Sequence, residues 1–218
     1  MTDETQDSQP DGAEIAGEIE FIGAERLIFF SDAVVAIAIT LLALALPVPH
    51  GSADTALWQS LVGHRDAYLA FLISFAVIGS HWRLHHRLYR RIVRVDPRLI
   101  SINMAWLLMI IITPYVTRVL AGGGAFGVRS SLYAVIQVIT IVTFVLMRRH
   151  IRDHQLLRPG ATVSGAEDIS FLLVAAAFAV SIPIGLVSGS QWTYLLWVAA
   201  AFAARAYRRV RDPLGQGG

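Results

Sequence analysis

Arg26-Leu-Ile-Phe-Phe30-Ser31-Asp32-Ala-Val-Val-Ala-Ile37-Ala-Ile-Thr40-Leu41-Leu-Ala-Leu44-Ala-Leu46 is an apolar run broken by one acid. About 20 such residues suffice for a helix to cross the hydrocarbon of a bilayer, so the stretch reads as a spanning helix. Asp32 lies about five residues inside the run, roughly 8 Å deep at about 1.5 Å rise per residue. An ionisable group costs on the order of 2.5–3.5 kcal/mol at the bilayer centre, and less near an end, so it turns toward protein or water rather than lipid. Asp32 marks a site.

The remainder of the chain has the same character. Of its 218 residues 55% are hydrophobic, and the mean hydropathy is +0.57, the composition of an integral membrane protein. The fold class expected is all-α, with six transmembrane segments at about Arg26–Leu46, Tyr68–Leu88, Leu99–Leu120, Ser131–Met147, Ile169–Val187 and Trp192–Tyr207. Pro47, Pro49 and Gly51 stop the first segment, Gly122-Gly-Gly124 and Gly127 separate the third from the fourth, and Pro159-Gly160 the fourth from the fifth. The length leaves no room for a folded soluble domain. Residues 1–24 hold seven of the sixteen acids and read as a disordered acidic tail, 25–210 as the six-helix membrane domain and 211–218 as a short second tail. A cleaved signal peptide is not expected, because no basic region precedes an apolar stretch at the N-terminus.

Arginine placement sets the orientation. One side of the membrane receives Arg83, Arg87, Arg90, Arg91, Arg94, Arg98, Arg148, Arg149, Arg152, Arg158, Arg205, Arg208, Arg209 and Arg211, the other only Arg65, Arg118 and Arg129. By the positive-inside rule the rich side is cytoplasmic and both termini lie inside. All 18 basic residues are arginine, which points to a GC-rich, bacterial source. Cysteine is absent, which excludes disulfides, thiolate metal sites and thiol chemistry.

On the first helix Ile37, Thr40, Leu41 and Leu44 form one stripe at i, i+3, i+4 and i+7. Asp32 lies about 140° round from Ile37, and Arg26 about 240° from Asp32, so neither shares a face with the acid. Asp32 must find donors on a neighbouring helix. His81, His85 and His86 at the end of the second segment and Asn103 early in the third are the candidates, while Ser31 either joins them or bonds back to its own helix. Taken alone, the acid is equally a structural latch, and the stripe is by default an ordinary packing face. His81 and His85 at i, i+4 have the spacing of metal ligands, but Arg83 between them opposes a cation and no Glu accompanies them, so no metal or cofactor is expected. No Gly-rich phosphate loop, catalytic triad order or carboxylate pair is present, and the arginines, spread over membrane-flanking ends, do not suggest nucleic-acid binding.

Arg26-Leu-Ile-Phe-Phe30-Ser31-Asp32 resembles the Arg-x-x-x-Phe-Ser-Asp signature of the transmembrane protein 175 family of potassium channels. The similarity continues through Ser74-Phe75, Gly79, Trp82 and His85-His86-Arg87 in the second segment and Asp96, Asn103, Leu107, Pro114 and Thr117 around the third, covering Arg26–Leu120. The resemblance implies a non-enzymatic, modestly potassium-selective channel: a homotetramer of six-helix subunits in the bacterial plasma membrane, with the first helix lining a central pore. It implies Ile37 as an apolar constriction in place of a carbonyl filter, with Thr40, Leu41 and Leu44 beside it. It also implies Arg26, Phe30, Ser31, Asp32, Asn103 and one of His81 or His85 as the network that orients the pore helix. Potassium ions, membrane lipid and further copies of the chain are the partners implied. The rival readings are a proton-coupled secondary transporter using Asp32 and the histidines of the second segment, a membrane-embedded enzyme, and a non-conducting scaffold.

Overall fold

The computed structural model describes residues 12–188 and 192–211. Seven helices make up almost all of it: α1 (Gly12–Leu44), α2 (Asp54–Gly63), α3 (Arg65–Tyr89), α4 (Pro97–Ala121), α5 (Phe126–Asp153), α6 (Gly165–Ser188) and α7 (Trp192–Arg211). Five contain stretches long and apolar enough to cross a membrane, from Gly23–Leu44 in α1 to Glu167–Ser188 in α6. The sixth expected segment folds as α7, whose apolar part, Thr193–Ala204, is shorter. The short α2, which hydropathy did not single out, fills the connection after Pro47 and Pro49.

The polar region before Arg26 is helical from Gly12, not from the start of the apolar run. Propagating an existing helix costs far less than nucleating one, so the helix of the apolar run continues into the polar residues before it. Residues 1–11 and 212–218 of the two expected tails lie outside the described residues.

α4 is the hub, packing against α1, α3 and α5, and the chain then continues α5 on α6 and α6 on α7. Trp106, Leu107, Ile110, Val116 and Leu120 of α4 are buried among Leu42 of α1, Ile78 and Tyr89 of α3, and Tyr133 and Phe144 of α5. α5 and α6 approach most closely at Gly127, where any side chain would collide with the backbone carbonyl of Gly185. Pro114 and Pro183 lie inside α4 and α6 without ending them. Next to Pro114, Thr113 and Thr117 return hydroxyl hydrogens to the carbonyls of Met109 and Thr113, each at 2.8 Å.

The arginine-rich end is tied together by its loops. Val93 N donates to Leu156 O at 2.9 Å and Arg158 N to Arg91 O at 2.8 Å, around an antiparallel bridge between Ile92 and Leu157. Asp96 caps α4 by accepting from Leu99 N at 2.6 Å, and its other oxygen meets His150 Nε2 at 2.7 Å. Desolvation pushes the Asp96 carboxyl up, but the Leu99 amide, the His150 contact and the nearby His154 outweigh it and hold it below its ordinary 3.8. A second tie is buried: Arg148 donates to Asp168 and to Glu167, each at 2.6 Å, and Arg152 to Asp168 at 3.0 Å, locking α5 to the start of α6. At the opposite end Arg129 donates to the carbonyls of Leu120, Gly122 and Gly124, closing the α4–α5 turn where Gly124 takes φ +94°.

Candidate functional site: the exposed face of α1

α1 has two unlike faces. Ser31, Val35, Ala38 and Leu42 are buried against α3 and α4. On the other side Ile37 is 60% exposed and Leu44 81%, with Thr40 and Leu41 also open. At about 100° per residue Arg26, Phe30, Ile37 and Leu44 fall within about 40° of one line. Arg26 and Phe30 thus continue the open stripe toward the arginine-rich end, both exposed, rather than turning in toward the acid. Thr40 Oγ1 donates to Ile37 O at 2.8 Å, which uses the hydroxyl hydrogen within the helix and leaves the oxygen lone pairs to face outward.

Two sets of polar contacts fix the rotation of α1. In the first, His85 Nε2 donates to Asn103 Oδ1 at 2.8 Å, Asn103 Nδ2 to Ser31 Oγ at 3.0 Å, and Ser31 Oγ to Leu27 O at 2.8 Å. Ser31 thus both bonds back to its own helix and joins α1 to α4 and, through Asn103, to α3. All three side chains are buried, and the His85 ring stacks between Tyr89 and Trp106, with centroids at 4.2 and 4.4 Å.

The second set holds Asp32. Its carboxylate accepts from Trp82 Nε1 at 2.9 Å and from His86 Nδ1 at 3.2 Å, in a partly open position at the flank of the helix. His81 and His85 do not contact the acid: His85 belongs to the Asn103 set, and His81 is buried beside Gln137 of α5. In the sequence Trp82 stood out only among the residues that carry the resemblance, without a role beside Asp32. The signal that would have found it is spacing, since Trp82 and His86 are i, i+4 on α3 and face one way, while His81 and His85 face another.

A family model described as "Endosomal/lysosomal potassium channel TMEM175" matches residues 26–114, the segment that holds every side chain of both sets and the whole open stripe. A potassium channel of Streptomyces collinus is 32% identical over 170 residues, covering 75% of this chain and 82% of that protein. The chain belongs to the TMEM175 family. A potassium channel of Chamaesiphon minutus is 42% identical over 98 residues, 44% of this chain and 48% of that one. The crystal structure of a lysosomal potassium-selective channel TMEM175 homolog from Chamaesiphon minutus superposes with a TM-score of 0.69 at 27% identity, covering 87% of this chain and 98% of that one. The TMEM175 fold therefore extends over helices beyond the family model's residues 26–114, as the architecture of the sequence implied.

Proposed function

We propose that this chain is one subunit of a homotetrameric, modestly potassium-selective channel whose pore is lined by α1. The observation that carries the reading is the division of α1: one face locked by two polar sets, the opposite face, Ile37, Thr40, Leu41 and Leu44, apolar but for one hydroxyl and open along its length. Each chain supplies one such helix, so a central path requires copies arranged about a closed symmetry axis.

Four Ile37 side chains around that axis form an apolar neck that empties of water when narrow. An ion crossing it receives no carbonyl ligands and keeps much of its hydration. Potassium yields water more readily than sodium, so the neck favours potassium, and only modestly. Thr40, one turn on, offers oxygen lone pairs to a partly dehydrated ion, with Leu44 as a further apolar ring. Ser31, Asn103 and His85 on one side and Asp32, Trp82 and His86 on the other orient the helix. Arg26 and Phe30 stand on the line of the pore face toward its inner mouth, and His81 serves packing between α3 and α5.

By the positive-inside rule the arginine-rich end is cytoplasmic, in a bacterial plasma membrane, with α7 completing six spans and both tails inside. A proton-coupled transporter has less support, because only His86 meets Asp32, while His85 bonds Asn103 and His81 sits apart beside Gln137, so no chain of histidines leads on from the acid. Purified protein reconstituted in vesicles should pass potassium faster than sodium, without saturation at low turnover and without a proton gradient, and should weigh as four chains in detergent. Saturating flux that requires a proton gradient would replace the channel with the transporter.

A further inference from the structure

About half of the arginines with described side chains are engaged by the protein itself. Arg148 and Arg152 meet carboxylates, Arg65 meets Asp66, Arg129 closes a turn, Arg91 donates to Thr162 O and Arg158 to Ile92 O. Arg26, Arg83, Arg87, Arg90, Arg98, Arg118 and Arg149 are exposed and form no hydrogen bond or ion pair with any described residue, and among them Arg83, Arg87 and Arg90 fall in one row. Their spacing of i, i+4 and i+7 puts them within about 60° on α3, on the side opposite buried Ser74, Ile78, His81 and His85. Asp32 of α1 accepts from Trp82 and His86 of α3 rather than from these arginines.

The same line of α3 continues toward the membrane interior as Ala76, Leu72 and Leu69, all exposed. Leu72 and Arg83 are about 16 Å apart along the helix, close to half the roughly 30 Å hydrocarbon thickness of a bilayer. An apolar strip one leaflet long, ending in a row of guanidinium groups, has the dimensions and charge of an anionic phospholipid.

We propose that α3 binds an anionic glycerophospholipid, its phosphate held by Arg83 and Arg87 with Arg90 on the headgroup, and an acyl chain along Ala76, Leu72 and Leu69. The guanidinium forks match phosphate oxygens two at a time, which a zwitterionic headgroup cancels with its own ammonium. The site lies one residue from Trp82 and His86, so an occupied phosphate bears on the α3 turn that grips Asp32. The inference rests on α3 crossing a membrane and not on α1 lining a pore, so lipid retention is read independently of ion flux.

The test is native mass spectrometry of the full chain released from micelles containing either phosphatidylglycerol or phosphatidylcholine. Wild type is expected to retain phosphatidylglycerol in preference. Each arginine near a membrane surface contributes about fivefold to such binding, so R83Q/R87Q should lower retention about 25-fold. R98Q/R149Q, which removes the same charge elsewhere on this end, should lower it less, and R83K/R87K, which keeps the charge but loses the forks, should fall between wild type and R83Q/R87Q. Equal retention of the two lipids by wild type, equal losses in the two glutamine variants, or a lysine variant indistinguishable from wild type or from R83Q/R87Q would each overturn the proposal.

Discussion

Replacing Asn103 with alanine removes both links of the relay that joins α1 to α3. Asn103 is fully buried, accepts from His85 at 2.8 Å and donates to Ser31 at 3.0 Å. Its loss leaves the His85 Nε2–H without an acceptor between the rings of Tyr89 and Trp106, where water has no access. An orphaned buried donor costs about 1–3 kcal/mol. Interhelical hydrogen bonds measured within membranes average about 0.6 kcal/mol and reach about 1.7. Asn103→Ala should therefore destabilise the protein by about 1–3 kcal/mol, and Ser31→Ala by less, since it leaves only the Asn103 amide unpaired. Unfolding by titration of sodium dodecyl sulfate into mixed micelles measures both. In a double-mutant cycle the two should couple by about 0.5–1.5 kcal/mol, while Asn103→Ala with Thr40→Ala, whose hydroxyl bonds only within α1, should be additive. An Asn103→Ala variant within about 0.5 kcal/mol of wild type, or simple additivity with Ser31→Ala, would refute the relay.

Ile37→Asn is expected to raise potassium flux and erode the preference over sodium, read as unitary conductance and reversal potential in planar bilayers; unchanged currents would remove Ile37 from the path. Arg148→Met leaves the buried Asp168 with Arg152 alone and should cost about 1–3 kcal/mol, seen as a lowered melting temperature in detergent. Asp96 is held below its ordinary 3.8, so the stability it confers is fully present above that value and is lost as pH falls through the lower value of the folded state. The melting temperature of Asp96→Asn should accordingly lie below that of wild type at neutral pH and converge with it in strong acid; a constant gap across the range would contradict the assignment.

The sequence made the apolar segments legible, because each is long, dry and bounded by proline, glycine or arginine. The stripe of α1 was legible as a 3.6-residue period, but the period alone favoured a packing face, and the exposure of Ile37 and Leu44 follows from which side of α1 meets α3 and α4. What resisted reading was contact between helices. His81, Trp82, His85 and His86 lie within two turns, and which of them meets Asp32 depends on the rotation of α3 about its axis. One residue of difference turns a side chain by about 100°. Chemistry favoured the histidines as a class, whereas geometry selects Trp82 and His86 for the acid, His85 for Asn103 and the neighbourhood of Gln137 for His81. The helical extension from Gly12 was hidden for a different reason: hydropathy marks where lipid ends and not where a helix does.

The chain has no cysteine, so thiols can be introduced one at a time into an otherwise inert background. The most direct test of the pore assignment is therefore the rate at which a cationic methanethiosulfonate modifies single cysteines along α1 and reduces potassium current in reconstituted channels. Current should fall rapidly for cysteine at positions 37, 40, 41 and 44 and stay unchanged at 35, 38 and 42. Equal insensitivity at 37 and 44, in channels that still conduct, would mean that the open face of α1 meets lipid or another subunit and that ions cross elsewhere.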